Sequence, residues 1–90
     1  MEFEWDQNKD EINQKKHGVT FNEASTVFGD SLALTFHDPE HSEDEERLLT
    51  FGVSIFNKLL IVSHTGRDHK MRIISAREME KSERKIYEEG

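Results

Sequence analysis

The stretch HTGRDHKMRIISAR, residues 64–77, gathers Arg67, Arg72 and Arg77 at intervals of five, with His64, His69 and Lys70 among them. Arginine presents a planar fork that grips two phosphate oxygens at once. Histidine exchanges a proton near neutral pH. Together they suit binding a phosphodiester and moving a proton at it. The simpler reading of the same residues is solvated edge charge, or ion pairing with Glu45 and Glu46.

The setting makes that cluster stand out. The chain has 90 residues and a net charge of −7, which disfavours a sequence-blind nucleic-acid binder. Six acids lie between Asp38 and Glu46, whereas Lys58 to Arg77 holds five basic residues and one acid, Asp68. A local field of that sign acts on a ligand more than the total charge does. The length fits one domain, residues 1–90, without room for a second core. Apolar residues are only 33% of the chain, a thin core that a partner protein would stabilise. With no cysteine, disulfides and thiolate metal sites are excluded. The N-terminus lacks a signal-peptide apolar stretch, and the longest apolar run, LLIV at 59–62, is too short for a membrane span. The expectation is a cytoplasmic protein.

Other candidates carry weaker signals. Lys16 and His17 close the first helix, where cations suit the helix dipole irrespective of any ligand. His37 and His41 flank Asp38, Pro39 and Glu40. Ligands at i and i+4 need a helix, and Pro39 argues against one, so the segment reads as an exposed acidic loop, with no metal and no cofactor expected. Glu46 either forms a strand-end ion pair with Arg47, the simpler reading, or acts as a base.

These residues must be positioned by short elements. Asp6 and Gly18 bracket a helix over 7–17. TFNE at 20–23 is a capping box that opens a second helix ending at Gly29. Alternation predicts strands at 31–36, 47–54, 59–64 and 70–75. The last two form a hairpin whose turn, TGRD, contains Arg67. A final helix is expected from about Ala76 to Glu88, with Met79, Ile86 and Tyr87 facing inward. The fold class is α+β: a four-stranded antiparallel sheet, two N-terminal helices and one C-terminal helix. Period-two alternation places Arg72 on a face with Ile74 and Ala76. The odd spacing of the three arginines requires a twist or bend for them to converge.

The pieces FEWDQNK, NQKKHGVTFNEASTVFGD, DPEHSEDEER, GVS, LLIV, RIISAR and ERKIYE run nearly the whole chain. In that order they resemble the BrnT family, ribonuclease toxins of bacterial toxin–antitoxin pairs. The resemblance implies a RelE-like fold and metal-independent endoribonuclease activity that inhibits translation. It implies a cognate BrnA-type ribbon-helix-helix antitoxin, two of each chain per complex, with operator DNA bound only through the antitoxin. It favours Arg67 and Arg72 as the catalytic cations, which bind the phosphate and stabilise the phosphorane, with His64 as the third catalytic candidate. His64 is either a proton carrier or a buried, hydrogen-bonded histidine. Lys16, His17, Lys70 and Arg77 are expected as further RNA contacts. The family often has Glu before the arginine corresponding to Arg67; here it is Gly66. The alternative function is a non-catalytic module whose basic hairpin docks nucleic acid or an acidic partner.

Overall fold

Asp6 accepts a hydrogen bond from the Lys9 amide, and Gly18 takes the left-handed conformation that closes the helix. These caps frame α1, Gln7–His17, in the computed structural model, which describes residues 1–41 and 45–90. A short strand, β1 (Glu2–Glu4), precedes it. Thr20 caps α2, Phe21–Ser25, which tightens into a 3-10 turn at Thr26–Gly29. Then follow β2 (Leu34–His37), a 3-10 turn at Pro39–His41, β3 (Leu48–Val53), β4 (Leu59–Arg67), β5 (Lys70–Glu78) and α3 (Lys81–Glu89).

The sheet has five strands in the order β1-β5-β4-β3-β2, with β1 parallel to β5 and the other pairs antiparallel. This corrects the four-stranded antiparallel expectation. β1 is only Glu-Phe-Glu, too short to show an alternation, and its pairing with β5 is long-range. β2 begins at Leu34 because Asp30 organises a turn before it, accepting from the Leu32 and Ala33 amides. Leu32, within the strand expected at 31–36, lies in that turn instead and is exposed. β5 continues through Ala76 and Arg77 to Glu78, paired with β4. The last helix therefore starts at Lys81, behind a Glu80–Glu83 capping box. Met79 is buried ahead of it, Tyr87 is half-buried, and Ile86 is exposed. The hairpin tip is Asp68-His69, both at positive φ, as a two-residue primed turn requires. Arg67 thus ends β4 opposite Lys70 and is not in the turn.

The helices α1 and α2 cover one face of the sheet. Val19, Phe21, Ala24 and Val27 pack there on Leu60, Val62, Ile73 and Ala76, joined by Phe3, Trp5 and Phe28. On the other face a smaller cluster of Phe51, Ile61 and Met79 packs with Leu34, Leu49, Leu59 and Tyr87, so α3 covers one end of it. Tyr87 donates to Asp30, which also accepts from the Val53 amide. Burial tends to raise the Asp30 carboxyl, but these donors outweigh it and hold it below its ordinary value. The same bond pushes the Tyr87 phenol up to about 12.

Beyond β1 the edge of β5 is held by α1. The buried Asn13 amide donates to the Ala76 and Val19 carbonyls, both at 2.8 Å, and accepts from the Ala76 amide at 3.1 Å. One side chain thereby completes the ladder where a sixth strand would sit. The helix end carrying Lys16 and His17 is fixed against β5 as a result. No helix among the described residues is long and apolar enough to cross a membrane.

Candidate active site

The β4–β5 register brings the basic residues together. Ser63 pairs with Ser75, but His64 pairs with Ile73, so Ile74 is an extra residue in β5. Such a bulge shifts the alternation by one. Arg72 and Arg77, five apart in sequence, consequently share a face. Arg67 and Lys70, paired across the hairpin, lie on that same face by register. The bulge is the bend that the spacing demanded. It also separates Arg72 from Ala76, expected beside it: Ala76 points into the helix-covered core.

The face they share opens into a cleft of about 530 Å³. Leu49, Phe51, Ile61 and Ser63 of the sheet line it. Around them stand Lys16 and His17 from the end of α1, Arg77 from β5, Glu83 from α3, and Asp38, His41 and Arg47 from the segment between β2 and β3. A shallower groove beside it runs along α1 and β5, past Lys9, Ile12 and Lys16. Ser42, Glu43 and Asp44, the middle of the expected acidic loop, lie outside the described residues.

Several of these cations are held by carboxylates. Arg77 forms a two-pronged pair with Glu83, both contacts at 2.8 Å. That hydrogen bonding raises the Arg77 pKa and lowers the Glu83 one. Arg72 binds Glu4 of β1 at 3.0 Å, and Arg47 lies 3.8 Å from Glu45. Arg67 and Lys70 are exposed at the hairpin tip. The expected arginines therefore form a row, with Arg77 in the cleft and Arg72, Lys70 and Arg67 leading away from it. Sequence alone assigned no site role to Arg47, Glu83 or the Asp38–His41 pair. Asp38 and His41 stand three apart in DPEH, a spacing a single turn brings into contact.

His64 is placed elsewhere. It is 2% exposed, on the helix-covered face, edge-on to Phe28 at 4.9 Å. Its Nε2 meets the Thr50 hydroxyl at 2.7 Å, and Thr50 meets Thr35. Burial lowers its pKa from 6.5 to about 4, so it is a neutral core residue at physiological pH. The alternative of a buried, hydrogen-bonded histidine is the one this geometry matches. On acidification the unfolded chain takes up the proton first, so stability that is full above about pH 6.5 falls as pH drops toward 4. The loss is on the order of 3 kcal/mol. His64→Gln keeps a partner for Thr50 but does not titrate, and should flatten urea-midpoint curves between pH 6.5 and 4.5. An unchanged slope would show that another group governs that window.

Residues 5–83 match the family model described as the ribonuclease toxin, BrnT, of type II toxin–antitoxin systems. The fold is similar to the crystal structure of the Brucella abortus ribonuclease toxin BrnT, with a TM-score of 0.71 and 23% identity over 90% of this chain and 99% of that one. A search of curated proteins finds no match.

Proposed function

We propose a working site for this chain, which belongs to the BrnT family of ribonuclease toxins of type II toxin–antitoxin systems. RNA lies along the open face of the sheet and is cut in the cleft around Arg77. The observation that carries this is the bulge at Ile74, which puts Arg77 on the face that Arg67, Lys70 and Arg72 share by register, where Arg77 lines the cleft with Lys16 and His17. The chemistry needs no metal. A ribose 2′-hydroxyl attacks the adjacent phosphorus, and fixed cations stabilise the charge that builds on the phosphorane. Arg77, oriented by Glu83, supplies that charge with Lys16. Arg72, Lys70 and Arg67 hold the flanking backbone. His64 acts through the core and not on RNA.

The family supports the rest of the reading. It includes inhibition of translation in the cytoplasm, a RelE-type likeness of fold, and a BrnA-type ribbon-helix-helix antitoxin in a complex of two toxins and two antitoxins. Operator DNA is bound through the antitoxin alone. Gly66 stands beside the phosphate row and not in the cleft, so it leaves the cutting machinery intact. The alternative, a docking module without chemistry, gains no observation of its own.

The test is purified protein on RNA in excess chelator. Full cleavage is expected, and loss restored by one divalent ion would overturn the metal-free route. On a 2′-O-methyl RNA of the same sequence, Arg67→Ala with Lys70→Ala should weaken binding and flatten its salt dependence. The slope of log affinity on log salt should fall by about 0.7 for each phosphate that is no longer neutralised. An unaltered slope would remove the hairpin from the RNA path.

A further inference from the structure

Asp38 and His41 form a pair that the phosphate-binding row does not explain. Asp38 begins the 3-10 turn at Pro39–His41, and its Oδ1 accepts from the Glu40 amide at 3.3 Å. A local cap needs no more than that. The second carboxylate oxygen, Oδ2, meets His41 Nδ1 at 3.0 Å. The Asp38 side chain is 12% exposed and that of His41 60%. A shielded carboxylate thus holds one ring nitrogen of an accessible imidazole that lines the cleft. The Asp38 amide donates to the Arg47 carbonyl, which fixes the turn to the start of β3. A carboxylate on Nδ1 sets the tautomer and supports the imidazolium formed when Nε2 takes a proton.

Resting on the RNA-cleavage reading above, we propose that His41 is the general base of this cleft, that Asp38 positions it, and that His17 is the acid. His41 Nε2 takes the proton of the 2′-hydroxyl as that oxygen bonds to phosphorus. The bond from phosphorus to the 5′-oxygen breaks, and protonated His17 gives its proton to that oxygen. The products are a 2′,3′-cyclic phosphate and a 5′-hydroxyl, and the two imidazoles end with their protonation exchanged. The titratable groups that line the cleft with His41 are Asp38, its contact, and Glu40 on its own segment, Lys16 and His17 on α1, Arg47 before β3, Arg77 on β5 and Glu83 on α3. The cations among them also steady the phosphate.

The experiment uses the whole protein and an RNA oligonucleotide spanning its mapped cut. A second oligonucleotide carries sulfur in place of the 5′-bridging oxygen, so that its leaving group needs no proton. His41→Ala should cut both RNAs about 10²–10⁴-fold more slowly and lose the acid limb of the pH–rate profile. His17→Ala should be slow on the oxygen substrate and recover on the sulfur one. Asp38→Asn should lower kcat with little change in KM and alter the pH profile; a loss confined to stability would reduce Asp38 to a turn cap. Thermal melts accompany each variant, and His41, being exposed, can be replaced without unfolding the chain. His41→Ala with wild-type rate and profile, beside an inactive Arg77→Ala, would overturn the pair and leave the cleft reading standing. An active Arg77→Ala would instead sink the cleft reading itself.

Discussion

Arg77→Ala is expected to lower RNA cleavage by roughly 10²–10³-fold, about 2.7–4 kcal/mol of transition-state stabilisation, while leaving the thermal melt nearly unchanged. The side chain lies on the open face of β5 opposite Ile61, with its guanidinium gripped by Glu83. That ion pair is partly exposed and adds little to stability, because water screens it and two side chains lose freedom to form it. On the proposed reading its value is in aim: Nη1 donates to Glu83 and to the Glu78 carbonyl and Nη2 donates once to Glu83, which leaves Nε and one Nη2 hydrogen for phosphate. Arg77→Lys should recover only part of the rate, since a point charge cannot keep the Glu83 fork and a phosphate together. Glu83→Gln should retain more activity than Arg77→Ala, because the cation remains and only its aim suffers. Equal loss in both would mean that α3 docking, not phosphate binding, is what the arginine serves. Kinetics beside melts for the three variants separates these outcomes.

The largest effect on stability is expected at Asn13. Asn13→Ala leaves the Ala76 amide and the Ala76 and Val19 carbonyls without their buried partner. Each orphaned buried group costs about 1–3 kcal/mol, so a loss of roughly 3–5 kcal/mol is expected. A domain of this size has about 5–15 kcal/mol in all. Asn13→Asp is nearly the same shape, but it faces two carbonyls with a carboxylate and loses both donors. It should be as damaging at pH 7 and partly recover in acid, when the protonated carboxyl can donate once. Urea midpoints for both variants check this. A midpoint close to wild type for Asn13→Ala would mean water replaces the amide and the edge of β5 is not held by α1. The cost should also reach function, since Lys16 and His17 are placed by the same helix.

The contrast between Asn13 and the arginines shows what could be read from the chain. Caps are local, so Asp6, Gly18 and Thr20 marked the helix boundaries directly. Alternation in LLIVSH and KMRIIS marked β4 and β5. The membership of Arg77 in a strand was hidden, because RIISARE runs into a helix-forming segment and nothing local marks where β5 stops. The bulge at Ile74 left no mark either: it is a matter of register between two strands, where Ser63 pairs with Ser75 and His64 with Ile73. Composition located the basic hairpin but ranked its residues by sequence proximity. His64, next to the turn in sequence, went into the core under Phe28, while His41, in a loop read as acidic, came to line the cleft. Asn13, a polar residue in an exposed-looking helix, carried no pattern that would announce three long-range hydrogen bonds.

RNA bound and cut on the open face of the sheet, in the cleft around Arg77, should leave its trace on the backbone there. A 2′-O-methyl RNA spanning the cut site, which cannot be cleaved, is titrated into isotope-labelled protein while the amide shifts are followed. The largest changes should fall at Lys16, His17, His41, Ser63 and Ile74–Arg77, with smaller ones out along Lys70 and Arg72. Changes concentrated on α2 and the turn at Thr26–Gly29, with the cleft silent, would contradict binding on this face.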